Sequence, residues 1–206
     1  MNTLPPRFEF LTVLSLAASV ASAATWDGNS GVGDTNWSTA LNWSDDASPA
    51  NKAVVFNDTF GATVNATTVG NIVSADLTVD SLSYANSGST WQVTQIGSGG
   101  TLTLDGSLSP ATVLSVSGGS VSATNAAITG ATGSLVVNNA SANVFVGNSS
   151  TGPQTATLDM SGLGTFTATV NEFQLGVGVR GVGIVNLAGT STITARKASV
   201  RVKYIA

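Results

Sequence analysis

From Ser74 onward, apolar and polar residues alternate in short runs broken by Gly or Asn. A period of two puts successive side chains on opposite faces of a strand, one face buried and the other wet. No stretch of useful length carries the spacing of an amphipathic helix. Four runs share one template: Leu114-x-Val116-x-Gly118, Leu135-x-Val137-x-Asn139, Leu158-x-Met160-x-Gly162 and Val185-x-Leu187-x-Gly189. Their first residues lie 21, 23 and 27 positions apart. Asn can replace Gly at the end of the template because both tolerate the left-handed backbone of a tight corner. A second apolar strand follows each first one after 7 to 9 residues, at Val121-x-Ala123, Val144-x-Val146, Phe166-x-Ala168 and Ile193-x-Ala195.

Repeats of this length made only of short strands predict an all-β solenoid, in which stacked turns of chain bury one continuous apolar column. Like strands then pair in parallel, with Leu158 facing inward and Thr157 facing water. The 27-residue offset places Asp159 beside Asn186. The competing architecture is a β-sandwich, whose strands need no equivalent residue in every turn.

Residues 1–23 read as a secretory signal peptide: Arg7, then the short apolar core Phe10 to Ala18, then small residues at Ala21-Ser22-Ala23 with cleavage before Ala24. The apolar core is shorter than the roughly 20 residues of a membrane anchor, and no later run reaches that length. Export and an extracellular or bacterial cell-surface location follow from that reading. The segments expected are 1–23 signal peptide, 24–75 N-terminal cap and first strands, 76–195 solenoid repeats and 196–206 basic tail. From Ala24 to Val179 there are ten acidic residues and one basic residue, Lys52, so the body lacks the basic stripe that a nucleic-acid partner requires. The last segment inverts this, with Arg196, Lys197, Arg201 and Lys203 and no acid.

Three of the four tryptophans, Trp26, Trp37 and Trp43, stand near the start of the exported part. Large rings there suit a cap, because the end of a solenoid exposes an apolar column and open strand edges. The pattern Trp26-Asp27-Gly28, then Trp37 to Trp43 with Asn36-Trp37-Ser38 echoed as Asn42-Trp43-Ser44, then Pro49 and Phe56, resembles the N-terminal signature of bacterial secreted proteins with autotransporter-associated β-strand repeats. The body after Leu77 is similar to the passenger regions of that family. The resemblance implies a single-stranded right-handed parallel β-helix and a structural or adhesive role at the cell surface, with surface glycans or other envelope components as partners. The tail from Arg196 departs from the Ser/Thr/Gly composition of such passengers and reads as a shortened or partial end.

Candidate chemistry narrows rather than widens this picture. With no His and no Cys, the usual zinc, haem and iron–sulfur ligand sets, Ser–His and Cys–His nucleophile pairs and disulfides are excluded. Gly176-Val177-Gly178-Val179-Arg180-Gly181 matches the dinucleotide fingerprint letter for letter, but a strand pattern follows it and no acid follows Glu172. It reads as a glycine-rich turn. The repeats hold only Asp105, Asp159 and Glu172 as acids, too few and too scattered for a catalytic pair. Asp27, Asp34, Asp45, Asp46 and Asp58 match no calcium-loop spacing. The chain is therefore expected to be non-enzymatic, with no catalytic, cofactor or metal residues. The alternative is a carbohydrate-binding or carbohydrate-processing β-helix with Trp26, Trp37 and Trp43 as glycan contacts. Thr101-x-Thr103, Thr155-x-Thr157, Thr165-x-Thr167-x-Thr169 and Thr192-x-Thr194 place threonines on outer faces, an arrangement some solenoids use to bind ice, although threonine also simply suits the wet face of a strand.

Overall fold

The computed structural model describes residues 23–31, 33–57, 62–63, 65–86, 88–108, 111–118, 123–148, 152–178 and 180–200. The predicted signal segment, apart from Ala23, and the last six residues of the basic tail lie outside them. The strands are β1 (Ala24–Thr25), β2 (Ala53–Phe56), β3 (Ala62–Thr63), β4 (Asn71–Val73), β5 (Leu77–Val79), β6 (Ser81–Tyr84), β7 (Trp91–Ile96), β8 (Thr101–Leu104), β9 (Thr112–Val116), β10 (Ala123–Asn148), β11 (Gln154–Asp159), β12 (Leu163–Val177), β13 (Gly181–Asn186) and β14 (Thr190–Val200). One short 3-10 turn, Ala40–Asn42, accompanies them.

These strands form one curled sheet, parallel throughout except where β3 meets β7. The alternation that predicts them also orients them. In β8 the leucines are buried and the threonines half-buried; in β11 Ala156 and Leu158 are buried while Thr155 is exposed.

Pairing resolves the sheet into three ladders. In the first, Ala24, Val54, Leu82, Leu114, Val144, Phe173 and Ala198 follow one another as register partners. In the second the sequence is Leu77, Leu102, Leu135, Phe166 and Ser191. In the third it is Gln92, Ala126, Leu158 and Val185, with β4 paired to the end of β7. The chain visits the third, second and first ladders in that order five times, over 71–84, 91–116, 123–146, 154–175 and 181–200. Adjacent strands in such ladders lie about 4.8 Å apart. The inward residues join in one apolar cluster running from Ala24 to Ala188.

The repeat length read from the sequence needs correction. Leu114 belongs to the first ladder, Leu135 to the second, and Leu158 with Val185 to the third. Only the last two are equivalent, and Asp159 does lie beside Asn186. Partners within a ladder are separated by 23 to 34 residues, so the shorter offsets compared strands on different sides of overlapping passes. The cause is physical: the strands carrying the template, on all three ladders, alternate inward apolar residues and end at a corner, so different sides of a pass look alike. Phe166 likewise pairs with Ser191 instead of Ile193, because the corner before β14 is two residues shorter than the one before it. The segment from Arg196 is not wholly a separate tail, since 196–200 continue β14 and Lys197 lies opposite Glu172 at 3.3 Å.

Corners are where the backbone is most constrained. Gly130 turns the chain from the third ladder to the second with φ +123°, and a Cβ there would strike the carbonyl oxygen of Ile96 in the pass alongside. Gly189 turns between the same two ladders in the last pass with open space around it.

Two substitution pairs test this frame by urea unfolding. Leu158→Asp, which buries an unpaired carboxylate in the column, is expected to cost several kcal/mol, roughly 2–7 by the desolvation scale, while Thr157→Ser stays within about 0.5 kcal/mol; a reversed ranking would invert the inward and outward assignment. Gly130→Ala is expected to destabilise by about 1–3 kcal/mol, whereas Gly189→Ala has nothing to displace and remains close to neutral.

Candidate functional site

The three tryptophans expected to form a cap pack against one another beside the first strands. Trp43 lies edge-on to both Trp26 and Trp37, with ring centroids 5.1 and 5.3 Å apart and planes at 85° and 86°. Trp26 and Trp37 then rest on Phe56 at 5.8 and 5.6 Å, and Phe56 stacks on Tyr84 at 5.4 Å. Since Phe56 and Tyr84 are register partners in the first ladder, the aromatic cluster continues the column rather than sitting beside it. Edge-to-face pairs of this kind favour the positive ring rim against the negative face of its neighbour.

Three polar groups of this cluster have partners. The Trp37 Nε1–H donates to Asn71 Oδ1 at 2.8 Å, tying the cap to β4, and the Trp43 Nε1–H donates to the Trp37 carbonyl at 2.9 Å. The Tyr84 hydroxyl shares a 2.7 Å hydrogen bond with Thr94 Oγ1, and burial pushes its pKa well above the usual phenol value. Buried without these bonds, such groups would each cost about 1–3 kcal/mol.

The loop that carries the rings is organised by two side chains. Asp34 Oδ1 accepts the Asn36 backbone N–H at 2.9 Å and Asp34 Oδ2 accepts the Thr39 hydroxyl at 2.8 Å. These bonds, the backbone one first, hold its carboxyl below the ordinary aspartate value. Asn42, fully buried, donates to the carbonyls of Asn36 and Asp34 and accepts from the Ser30 hydroxyl. The echo of Asn36-Trp37-Ser38 in Asn42-Trp43-Ser44 therefore brings two indoles to one face through a loop closed on its own asparagine.

As glycan contacts, Trp26, Trp37 and Trp43 present no open ring face: they are 2%, 1% and 0% exposed, with their surfaces taken up by one another and by Phe56. Beside them a groove lined by Trp37, Ser38, Val73, Asp76 and Leu77 encloses about 70 Å³, well under the roughly 300–1,000 Å³ of small-molecule sites.

Most of the described acids are engaged locally. Asp159 accepts the backbone N–H and hydroxyl of Ser161 at 2.9 and 2.7 Å, and Asp105 accepts the Ser107 N–H at 3.1 Å. Glu172 faces Lys197 and the amide of Gln174. Asp45 pairs with Lys52 at 2.7 Å. Asp80, fully buried, accepts the Leu108 N–H. Among the described residues no three His, Cys, Asp or Glu side chains gather into a metal-binding group. The glycine-rich hexapeptide, Val179 aside, joins β12 to β13 as a corner with Gly176 and Gly178 at φ +68° and +78°, and a strand follows it.

Three of the four threonine motifs fall on one ladder. On the outer side of the second ladder, Thr101, Ser134, Thr165 and Thr190 form one column. Thr78, Thr103, Val136, Thr167 and Thr192 form the next, and Asn138, Thr169 and Thr194 the third. Thr155 and Thr157 lie apart, on the third ladder. The motifs were visible in the sequence; their alignment was not, because the steps between them are unequal. The role of Asn71 as partner of Trp37 was likewise hidden, as nothing local marks an asparagine 34 residues away.

No protein-family model, no curated protein and no solved structure matches the chain.

The cap makes one quantitative expectation. Trp37→Ala removes a fully buried ring from a packed cluster and orphans Asn71 Oδ1, so urea unfolding should lose about 3–5 kcal/mol, with Trp37→Phe losing less because the ring contacts survive.

Proposed function

We propose that this chain is an exported, non-catalytic structural or adhesive surface module, its body wound as a single-stranded right-handed parallel β-helix under a tryptophan-rich N-terminal cap. The observation that carries the reading is the fivefold visit to three parallel ladders in a fixed order around one apolar cluster. A chain stacked in that way grows as a rod whose outside is a set of sheet faces, which suits display and contact better than enclosure of a substrate. The right-handed sense is the one that parallel strand–crossover–strand connections overwhelmingly adopt.

The likeness of the Trp26 to Phe56 pattern to autotransporter-associated repeat proteins, which are secreted or displayed at the bacterial surface, supports the same reading. The chemistry of the chain supports it too: without histidine or cysteine there is no Ser–His or Cys–His pair, and several acids are held in turns or in the ion pairs Asp45–Lys52 and Glu172–Lys197. Envelope components, including surface glycans met by the outer faces rather than by the buried indoles, are the partners proposed. No described helix is long and apolar enough to cross a membrane.

Expression in a Gram-negative host tests this. The expected product is found outside the inner membrane, begins at Ala24 by N-terminal mass, and turns over no polysaccharide in a hydrolase and lyase screen. Retention in the cytoplasm with residues 1–23 attached would overturn export, and glycan cleavage would overturn the non-catalytic assignment.

A further inference from the structure

We propose that the outer side of the second ladder is a binding face for ice, formed by three in-register columns of threonine side chains. The columns contain nine threonines: Thr78 from β5, Thr101 and Thr103 from β8, Thr165, Thr167 and Thr169 from β12, and Thr190, Thr192 and Thr194 from β14, with Ser134, Val136 and Asn138 as the β10 row between them. Alternation fixes their direction. Leu102, Leu104, Leu135, Val137, Phe166, Ala168 and Val170 are the buried members of the same strands, so the residues between them point away from the core.

Spacing makes the face a lattice. Neighbours along a strand, two residues apart, are separated by about 6.6 Å, and neighbours across strands by about 4.8 Å. Between β12 and β14 the pairing from Thr165 to Val170 runs without a register shift, so the columns stay straight where threonine is densest. Each threonine is stiff about its first side-chain torsion, which holds hydroxyl and methyl groups in a pre-ordered pattern and lowers the entropy lost on contact.

The chemistry of the face identifies its partner. None of the twelve positions carries a charge, and the bordering acids, Asp76 against Thr101 and Asp105 beyond Thr103, lie at the β5–β8 side, away from the β12 and β14 rows where threonine is densest. An irregular protein surface would use a few anchor points and would gain nothing from a repeat in two directions. A crystalline array of water repeats in both, donates and accepts hydrogen bonds at every position, and leaves room for the methyl groups between its oxygens. Ordered water bridging such groups is energetically close to a direct hydrogen bond. The other outward rows lack this regularity: the first ladder carries Ser83, Ser115, Phe145 and Gln174 in one column. This inference does not depend on export or on the surface role proposed above.

The test is thermal hysteresis and ice-crystal shaping by the purified chain from Ala24, with Thr167→Arg and Thr192→Arg as variants in the array and Thr155→Arg as the control on the third ladder. The wild-type chain is expected to separate melting from freezing and to facet the crystal. Either array variant should return hysteresis to the buffer value with an unchanged circular-dichroism melt, while the control keeps it. Thr192, exposed in the last pass, serves if Thr167→Arg unfolds the chain. No hysteresis in the wild type, equal loss in the control, a dimer broken by Thr167→Arg, or binding to insoluble cellulose or chitin without hysteresis would each overturn the proposal.

Discussion

The whole molecule depends on one constraint: each inward side chain must meet another inward side chain in the pass before and the pass after, while the backbones of all three keep their parallel hydrogen bonds. Parallel strands hold register by slanted, evenly spaced bonds, and a slip of one residue would turn every inward residue outward. Ala24, Val54, Leu82, Leu114, Val144 and Phe173 satisfy this across the first ladder, all of them buried. Glycine at Gly130 is a consequence of the same demand, since backbones brought together by the ladders leave no space for a Cβ at that corner. With no disulfide available, burial of this column and the ladders around it are what holds the fold.

The tryptophan cluster packs onto the apolar column where the described chain begins. Its rings stack onto Phe56 and Tyr84, which already belong to the column. The Trp37 and Trp43 indole N–H groups bind Asn71 of β4 and the Trp37 carbonyl, so neither indole donor is left unpaired in the apolar interior. The same packing that makes the cap effective removes the rings from any role as a sugar platform.

Strand identity was legible in the sequence because alternation is local: Thr101-Leu102-Thr103-Leu104 announces its two faces without help from the rest of the chain. The clustering of the three tryptophans was legible for a similar reason, as large rings close together in sequence bury most area by packing on one another. Register was not legible. Leu114 and Leu135 share a template yet stand on different ladders, and the difference lies in corners whose lengths vary between passes. A template of one apolar pair and a closing Gly or Asn describes a side of the winding, and only the pairing of backbones says which side. The threonine face followed the same logic, its motifs plain and its alignment concealed.

Those unequal corners carry an evolutionary consequence. The distance from one register partner to the next ranges from 23 to 34 residues, yet the strands themselves remain aligned, so the variation is absorbed where the chain bends. Residues gained or lost at a bend leave the neighbouring ladders undisturbed. A gene of this type can lengthen by duplicating a whole circuit, or decorate one vertex at a time, without renegotiating its interior. Diversity among descendants should accumulate at the vertices and leave the flat sides almost unaltered.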